Sequence, residues 1–313
     1  MNLLASMRYL AALDEHKHFG RAAQACHITQ PALSNALRAL EAEFKTVIVK
    51  RGRNFEGFTP EGERVLATAR RMLHERESLQ QELNSGIGKP QGSLTIGAVP
   101  TAIPIAARFS AMLQSRYPGI SPVVRSMSSN ELESGLESLS LDLGLGYTDR
   151  LRLNGPRLRQ IPQYTEHYFF VRRAAKPDTV MKIGPAITWL EASAHPLCML
   201  TREMHNRTIV EKAFEDAGAV SRPAIQTNSI LTLALSVVEG DVCSIMPGAL
   251  VGAMRGHREL EALPLVGPEV RTAIGLMAQG GDRPSRTLDA ALTLAQDKVW
   301  LRHAAAHSGL LNA

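Results

Sequence analysis

Cysteine is scarce in this chain: Cys26, Cys198 and Cys243 are the only three among 313 residues, odd in number and far apart. That excludes a disulfide framework and any paired metal-ligand spacing, and it suits a reducing cytoplasm. No apolar run approaches the roughly 20 residues that span a bilayer, so no membrane partner is expected. The opening stretch MNLLASMRYLAAL imitates part of a signal peptide. It lacks a basic flank, Arg8 interrupts it, and Asp14 and Glu15 follow, so it reads as a helix. Gly97 belongs to no G-x-G-x-x-G, and neither a phosphate loop nor a G-x-S-x-G elbow occurs. The ten histidines are read as offering no H-x-x-x-H or H-E-x-x-H arrangement. No catalytic residue, metal site or cofactor is therefore expected. Internal repeats and low-complexity tracts are absent too. What is present is the composition of an ordinary globular protein, 44% hydrophobic and 21% charged, with length for two or three domains. The net charge of +5 suits contact with nucleic acid without requiring it.

The densest pattern lies between residues 18 and 60. Just before it, Leu3, Leu4, Met7, Leu10, Ala11 and Leu13 recur at helical spacing and make a first helix with an apolar stripe. A second helix is predicted from Phe19 to Ala25, with small Ala22 and Ala23 permitting close helix approach, and Cys26-His27-Ile28 as the turn. Thr29 is a good N-cap, and Pro31 sits in a first turn where its missing N–H does no harm. The third helix is predicted from Gln30 to Phe44, burying Leu33, Leu37 and Leu40. Gln30, Pro31, Ser34, Asn35 and Arg38 are left on other faces, and the amide, hydroxyl and guanidinium groups suit base edges and phosphates of double-stranded DNA. Val47-Ile48-Val49 is a short β run. Lys45, Lys50, Arg51 and Arg53, with turns at Gly52 and Gly57, complete a basic wing whose Arg51 and Arg53 would grip the backbone or minor groove. His16 and His18 read as solvated, or near phosphate.

FGRAAQACHITQPALSNALRALE, followed by KR and FTPEGE, resembles the LysR-type transcriptional regulators. Phe19, Ala22, Ala23, Gln30, Pro31, Ala32, Ser34, Leu40, Glu41, Arg51, Thr59 and Gly62 match the family pattern. Two departures stand out: Lys45 replaces the family's glycine after helix 3, and Val49-Lys50 replaces Leu-Phe before the wing arginine. Both bear on how the wing packs.

Thr59-Pro60-Glu61-Gly62-Glu63 opens a linker helix reading to about Asn84, with Thr59 as N-cap and early glutamates at the positive helix end. Val65, Met72 and Leu79, with Ala69, Arg76 and Leu83 as a second row, form a heptad seam broken at Arg76. A partner helix would cover it; packing on the chain's own second half is the alternative. The resemblance implies a dimer through this helix and a tetramer overall. Residues 85 to 92 read as a hinge.

Strand and helix patterns then alternate: strands at 93–99, 121–127, 141–147, 167–173, 196–200, 223–227, 241–246 and 270–279, helices at 104–116, 129–139, 206–217 and 230–239, and a final helix at 284–305. Such alternation builds βαβ units around a largely parallel sheet. The layout resembles the family's effector-binding domain, itself similar to periplasmic solute-binding proteins. The expected architecture is thus α/β with an all-α N-terminal part: a winged helix-turn-helix at 1–58, a linker helix and hinge at 59–91, and a two-subdomain periplasmic-binding-protein-like α/β effector domain at 92–313. The resemblance divides the last into subdomain I, 92–163 plus 267–313, and subdomain II, 164–266.

Ligands bind beyond the carboxyl ends of strands in such sheets. That rule selects Pro100, Thr101, Ser128 and Ser129 in one subdomain and Thr201, Arg202, Thr227, Asn228 and Ser229 in the other. Hydroxyls and free N–H groups at several helix starts make an anion seat, so a small carboxylate is the expected effector. Each residue taken singly also reads as a plain N-cap. Cys198 and Cys243 offer a redox-responsive alternative, against buried core thiols as the plainer reading. A different class, a solute-binding or enzymatic module, would need a constellation that is not found. The reading is a cytoplasmic, ligand-responsive regulator, by resemblance an activator of a nearby operon, with some likeness to members associated with formate dehydrogenase.

Overall fold

A computed structural model describes residues 2–52, 55–84, 90–150, 158–280 and 284–309. It divides into two compact units. One holds Met1–Gly88 with the segments Glu137–Ser140 and Pro284–Arg286; the other holds Lys89–Leu136, Leu141–Arg283 and Thr287–Ala313.

In the first unit, α1 (Leu3–His16), α2 (Phe19–Ala25) and α3 (Gln30–Phe44) fall where periodicity places them. Met7, Leu10 and Leu13 from α1, Ala22 and Ala23 from α2, and Leu33, Leu37 and Leu40 from α3 share one core. Thr29 Oγ1 accepts from the Ala32 N–H, as its N-cap role requires. His18 is exposed, as expected, and its Nδ1 also accepts from the N–H groups of Gly20 (3.0 Å) and Arg21 (3.3 Å), capping α2. The wing is β1 (Val49–Arg51) paired antiparallel with β2 (Phe55–Phe58). Glu41 Oε1 accepts from the N–H groups of Ile48 (3.0 Å) and Val49 (3.1 Å), pinning the wing to the back of α3. Phe55 meets Phe19 and Phe58 edge to face at 6.0 and 5.1 Å. The family's missing Leu-Phe therefore leaves a packed wing, with Val49 and Phe58 buried. Lys45 takes the left-handed conformation, φ 50°, at the end of α3, where glycine carries no steric cost.

The linker helix is α4 (Pro60–Asn84). Its first half packs on the head through buried Leu66 and Ala69, while Met72, Leu79 and Leu83 further along are exposed. The hinge residues 85–89 lie outside the described residues.

In the second unit the elements run β3 (Gly92–Ala98), a 3-10 turn (Pro100–Ala102), α5 (Ile103–Arg116), β4 (Ile120–Ser126), α6 (Ser129–Glu137), β5 (Leu143–Tyr147) and β6 (Leu158–Arg173). They continue β7 (Lys182–Ile183), β8 (Ile187–Thr188), α7 (Trp189–Ser193), β9 (Leu197–Leu200), α8 (His205–Asp216), β10 (Pro223–Thr227), α9 (Ile230–Glu239), β11 (Cys243–Pro247) and α10 (Gly248–Ala253). The chain closes with β12 (Leu260–Val266), β13 (Arg271–Gln279), α11 (Arg286–Ala295) and α12 (Lys298–Ala306). The strand order is β10-β9-β11-β6-β13-β5-β3-β4, with β12 also paired to β6. β3 runs parallel to β4 and β5, and β9 parallel to β10 and β11. β6 and β13 run against their neighbours, as strands that pass between two halves must.

β6 is far longer than the strand expected at 167–173. Its residues 158–167 pair with β13 and its residues 168–173 with β11 and β12. The chain thus passes between half-sheets at His167–Tyr168 rather than at 163–164. Pro162 disguises the strand's first half; a register shift opposite it, between Ile274 and Gly275, accommodates the missing N–H. The single expected C-terminal helix is two helices, divided where Asp297 accepts from the N–H groups of Val299 and Trp300. One core surrounds β3, β5 and β13; two more lie on opposite faces of the sheet formed by β9 and β11.

Candidate recognition helix and intersubdomain cavity

α3 presents Gln30, Pro31, Asn35 and Arg38 to solvent, with Ser34 half-buried beside them. Arg38 Nη1 donates to Asn35 Oδ1 at 3.1 Å, so the amide and the guanidinium stand together one turn apart. This face is opposite the buried leucines and stays open to solvent. Arg53 lies outside the described residues, as does the side chain of Arg51.

The second site is built where the half-sheets meet. Pro100 and Thr101 lie just past β3, Ser128 and Ser129 at the start of α6, and Tyr147 at the end of β5. From the other subdomain, Leu200 ends β9, Met204 precedes α8, and His205 and Asn206 begin it. Together with Val99 these line a cavity of about 10 Å³, room for one water-sized body. Four of the expected effector residues, Pro100, Thr101, Ser128 and Ser129, meet there. Thr201, Arg202, Thr227, Asn228 and Ser229 do not. Thr201 Oγ1 donates to Glu203 at 2.6 Å, Thr227 Oγ1 accepts from the Ser229 N–H at 3.0 Å, and Ser229 Oγ accepts from the Thr232 N–H at 3.3 Å. Their hydroxyls stabilise turns and helix starts, the plainer reading of each, while Arg202 and Asn228 are exposed. Ser128 too is engaged, in a reciprocal cap with Glu131. Ser129 differs: it is 6% exposed and its buried Oγ has no hydrogen-bond partner.

Strand-end reasoning misses Tyr147, His205 and Asn206, because it starts α8 one residue late and looks to Thr201 instead. Asn206 Nδ2 lies 3.5 Å from both the Tyr147 and Tyr168 hydroxyls. Tyr147 also bonds Thr101 Oγ1 at 3.0 Å, and Tyr168 bonds Thr272 Oγ1 at 3.2 Å. One amide of subdomain II thereby ties β5, β6 and, through Thr272, β13. Arg207, 3% exposed, donates to the Leu200 carbonyl and to Glu211, fixing the end of β9 against α8. Burial pushes the Tyr147 hydroxyl well above the ordinary phenol range, so it stays protonated. Behind it Glu166 is fully buried and its pKa is raised to about 8 by desolvation. Tyr164 donates to its Oε1 at 3.4 Å, while its Oε2 has no hydrogen-bond partner.

Cys198 and Cys243 are not placed to pair with each other. Cys198 and Cys243 sit in neighbouring parallel strands, but Cys198 belongs to the core on one face and Cys243 to the core on the other. Alternation across a sheet makes a disulfide between them impossible without unpairing the strands. Burial raises the pKa of both, favouring the unreactive thiol. An aromatic disulfide reagent is expected to titrate neither in the native protein and both in denaturant; rapid native labelling would contradict this.

His303 in α12 and His307 just past its end do stand four residues apart, a pair the sequence reading passes over, with ring centroids 4.4 Å apart. No cluster of three metal-binding side chains surrounds them among the described residues.

Comparison with known proteins places these features. Residues 4–63 match the family "Bacterial regulatory helix-turn-helix protein, lysR family", and residues 88–300 match the "LysR substrate binding domain". The DNA-binding transcriptional dual regulator OxyR of Escherichia coli K12 is 26% identical over 279 residues, 89% of this chain and 90% of that protein. In fold the chain is similar to a full-length OxyR variant from Pseudomonas aeruginosa, with TM-score 0.69 and 21% identity over 93% of this chain and 96% of that one. It is also similar to full-length CbnR complexed with its target DNA, with TM-score 0.64 and 19% identity over 96% of this chain and 99% of that one. With the two family descriptions accounting for both units, the chain belongs to the LysR family, as a DNA-binding transcriptional regulator with an effector-binding domain and not an enzyme.

Proposed function

We propose that the protein reads a partly palindromic promoter site in double-stranded DNA and responds to a small carboxylate held in the intersubdomain cavity. Gln30, Pro31, Ser34, Asn35 and Arg38 read or position on the major groove, and Arg51 and Arg53 hold the backbone or minor groove. The observation that carries the effector reading is the Ser129 hydroxyl, buried and unpartnered at the start of α6, in a cavity where α8 also begins. Thr101 and Ser128 stand beside it; the closed cavity has room for about one water, so even formate, the smallest acid, enters only as the two subdomains part. The expected wall of Thr201, Arg202, Thr227, Asn228 and Ser229 gives way to His205 and Asn206. A homodimer forms through the exposed Met72, Leu79 and Leu83 of α4, and two dimers make a tetramer acting in the cytoplasm as an activator of a neighbouring operon. Peroxide response, which the names of several relatives suggest, finds no thiol pair in this fold able to carry it.

The test is a gel-shift titration with the upstream intergenic DNA. Asn35→Ala with Arg38→Ala should weaken specific binding by at least about 30-fold per half-site, since each good base contact is worth about 1–3 kcal/mol. Arg51→Ala with Arg53→Ala, which removes four cations from the two heads of a bound dimer, should instead flatten the salt dependence by about four units of slope. Formate or acetate should shift affinity or footprint by roughly 5- to 150-fold. Failure of the wild type to bind at any salt would refute the DNA reading. An operator response blind to every small acid would refute the effector reading.

A further inference from the structure

The carboxylate reading leaves a charge unaccounted for. The described residues lining the cavity include no lysine or arginine. Helix starts and hydroxyls supply partial charges, yet a buried full anion calls for a full counter-charge. His205 is the lining side chain that can become positive near neutral pH. Its ring stands at the start of α8, against Tyr147, with centroids 4.9 Å apart and planes at 73°.

Resting on the carboxylate reading, we infer that effector binding is proton-linked: His205 takes a proton from solvent as the anion enters, and the imidazolium becomes the effector's counter-ion.

The groups facing His205 make it a responsive acceptor. In the empty cavity, burial and the Arg150 guanidinium hold its pKa below the ordinary histidine value, and Asp149 pulls the other way. Arg150 is itself occupied with Glu133 and Asn130, at 3.3 and 2.7 Å, so it stays beside the cavity without lining it. Tyr147 remains a neutral phenol, and Glu166 lies behind Tyr147 on the crossing strand. The free protein thus carries a neutral imidazole near pH 7. A carboxylate at Ser129 reverses the local field and raises the imidazole's pKa. The sign follows: the protonated form binds, so affinity is highest at low pH, begins to fall as pH passes the free-state pKa, and levels off above the pKa of the bound state.

Acetate is a suitable probe because it is fully ionised above pH 6. Calorimetric titration of the full-length protein at pH 7.5, in buffers of contrasting ionisation enthalpy, should reveal net uptake of up to about one proton per site. Between about pH 6 and 8 the acetate affinity should fall, approaching tenfold per pH unit. His205→Gln keeps a hydrogen-bonding side chain that cannot ionise; it should bind acetate more weakly, with no proton uptake and a flat pH profile. Glu166→Gln should keep the wild-type slope, which separates the two titrating groups. Binding by the wild type without proton uptake, or an unchanged slope in His205→Gln, would overturn the inference while leaving the carboxylate reading intact. A wild type that binds neither acetate nor formate would overturn both.

Discussion

Replacing Glu166 by Gln should stabilise the effector domain by about 2–3 kcal/mol at pH 7, a rise in melting temperature of roughly 4–12 °C for a domain of this size. The reasoning begins with a carboxyl that is completely buried, has one long bond from Tyr164, and has an oxygen with no partner. Burial raises its pKa from 4.5 to about 8. Below pH 4.5 the group is neutral in both folded and unfolded chains and adds no pH-dependent term. Between 4.5 and 8 the unfolded chain releases a proton that the folded chain retains. Stability therefore declines with rising pH across that window, by about 1.4 kcal/mol per unit. Glutamine has no such window. An unpaired amide N–H would take back about 1 kcal/mol, which sets the lower end of the range. Denaturant melts of both proteins from pH 4 to 8 provide the measurement: the difference should grow with pH above 4.5 and settle below it to a small offset that no longer changes with pH. Parallel profiles would show that Glu166 finds a partner when ionised. The group sits on the strand shared by both subdomains, one hydroxyl layer behind the cavity, where a costly side chain is more readily explained by function than by packing.

Gly62→Ala should be the more damaging change, lowering stability of the N-terminal unit by about 3 kcal/mol or more. A methyl group at Gly62 would lie 2.1 Å from the Ile48 carbonyl oxygen and 2.9 Å from its carbon, both backbone atoms. Neither can yield alone, because Thr59 is bonded to the same segment: its N–H donates to the Ile48 carbonyl and its hydroxyl to the Val47 carbonyl, while the Gly62 N–H donates back to Thr59 Oγ1. Glu41 holds the other side of Ile48. The start of α4 would have to leave the base of the wing. For a unit of roughly 90 residues that is a fall of roughly 12–24 °C in melting temperature, with DNA binding lost at working temperature. Gly256→Ala is the control, since no atom lies within 4 Å of its added carbon. A normal melting profile for Gly62→Ala would mean that the wing and α4 are not joined as described.

The N-terminal unit is largely legible in the sequence because its determinants are local. Leu33, Leu37 and Leu40 declare one helix face, Thr29 and Pro31 its start, and what remains exposed is what DNA could touch. Lys45 shows the limit: a residue change suggests altered packing, while the backbone keeps a glycine-like turn. In the effector domain the strand ends select Thr101 and Ser129, which the fold brings to one cavity, because βα junctions are local as well. Thr201 and Thr227 do not line that cavity, and sequence gives no warning, because a threonine hydroxyl capping its own turn and one facing a ligand look alike. Only folding brings Asn206 to Tyr147 and Tyr168, from 59 and 38 residues away. β12 escapes notice for a related reason: Pro264 interrupts its pattern, and its pairing to β6 is long-range.

The position of β13 constrains how the newly made chain acquires its shape. That strand lies between β5 and β6, although it is synthesised last of the sheet. The half built on β3, β4 and β5 cannot close until residues 271–279 have emerged from the ribosome, whereas the half around β9 and β11 has all its strands once β12 is complete. The later segment of sequence is thus the earlier to mature. The loops holding Thr101 and Ser129 wait, unfinished, for a strand encoded roughly 170 and 140 residues downstream of them.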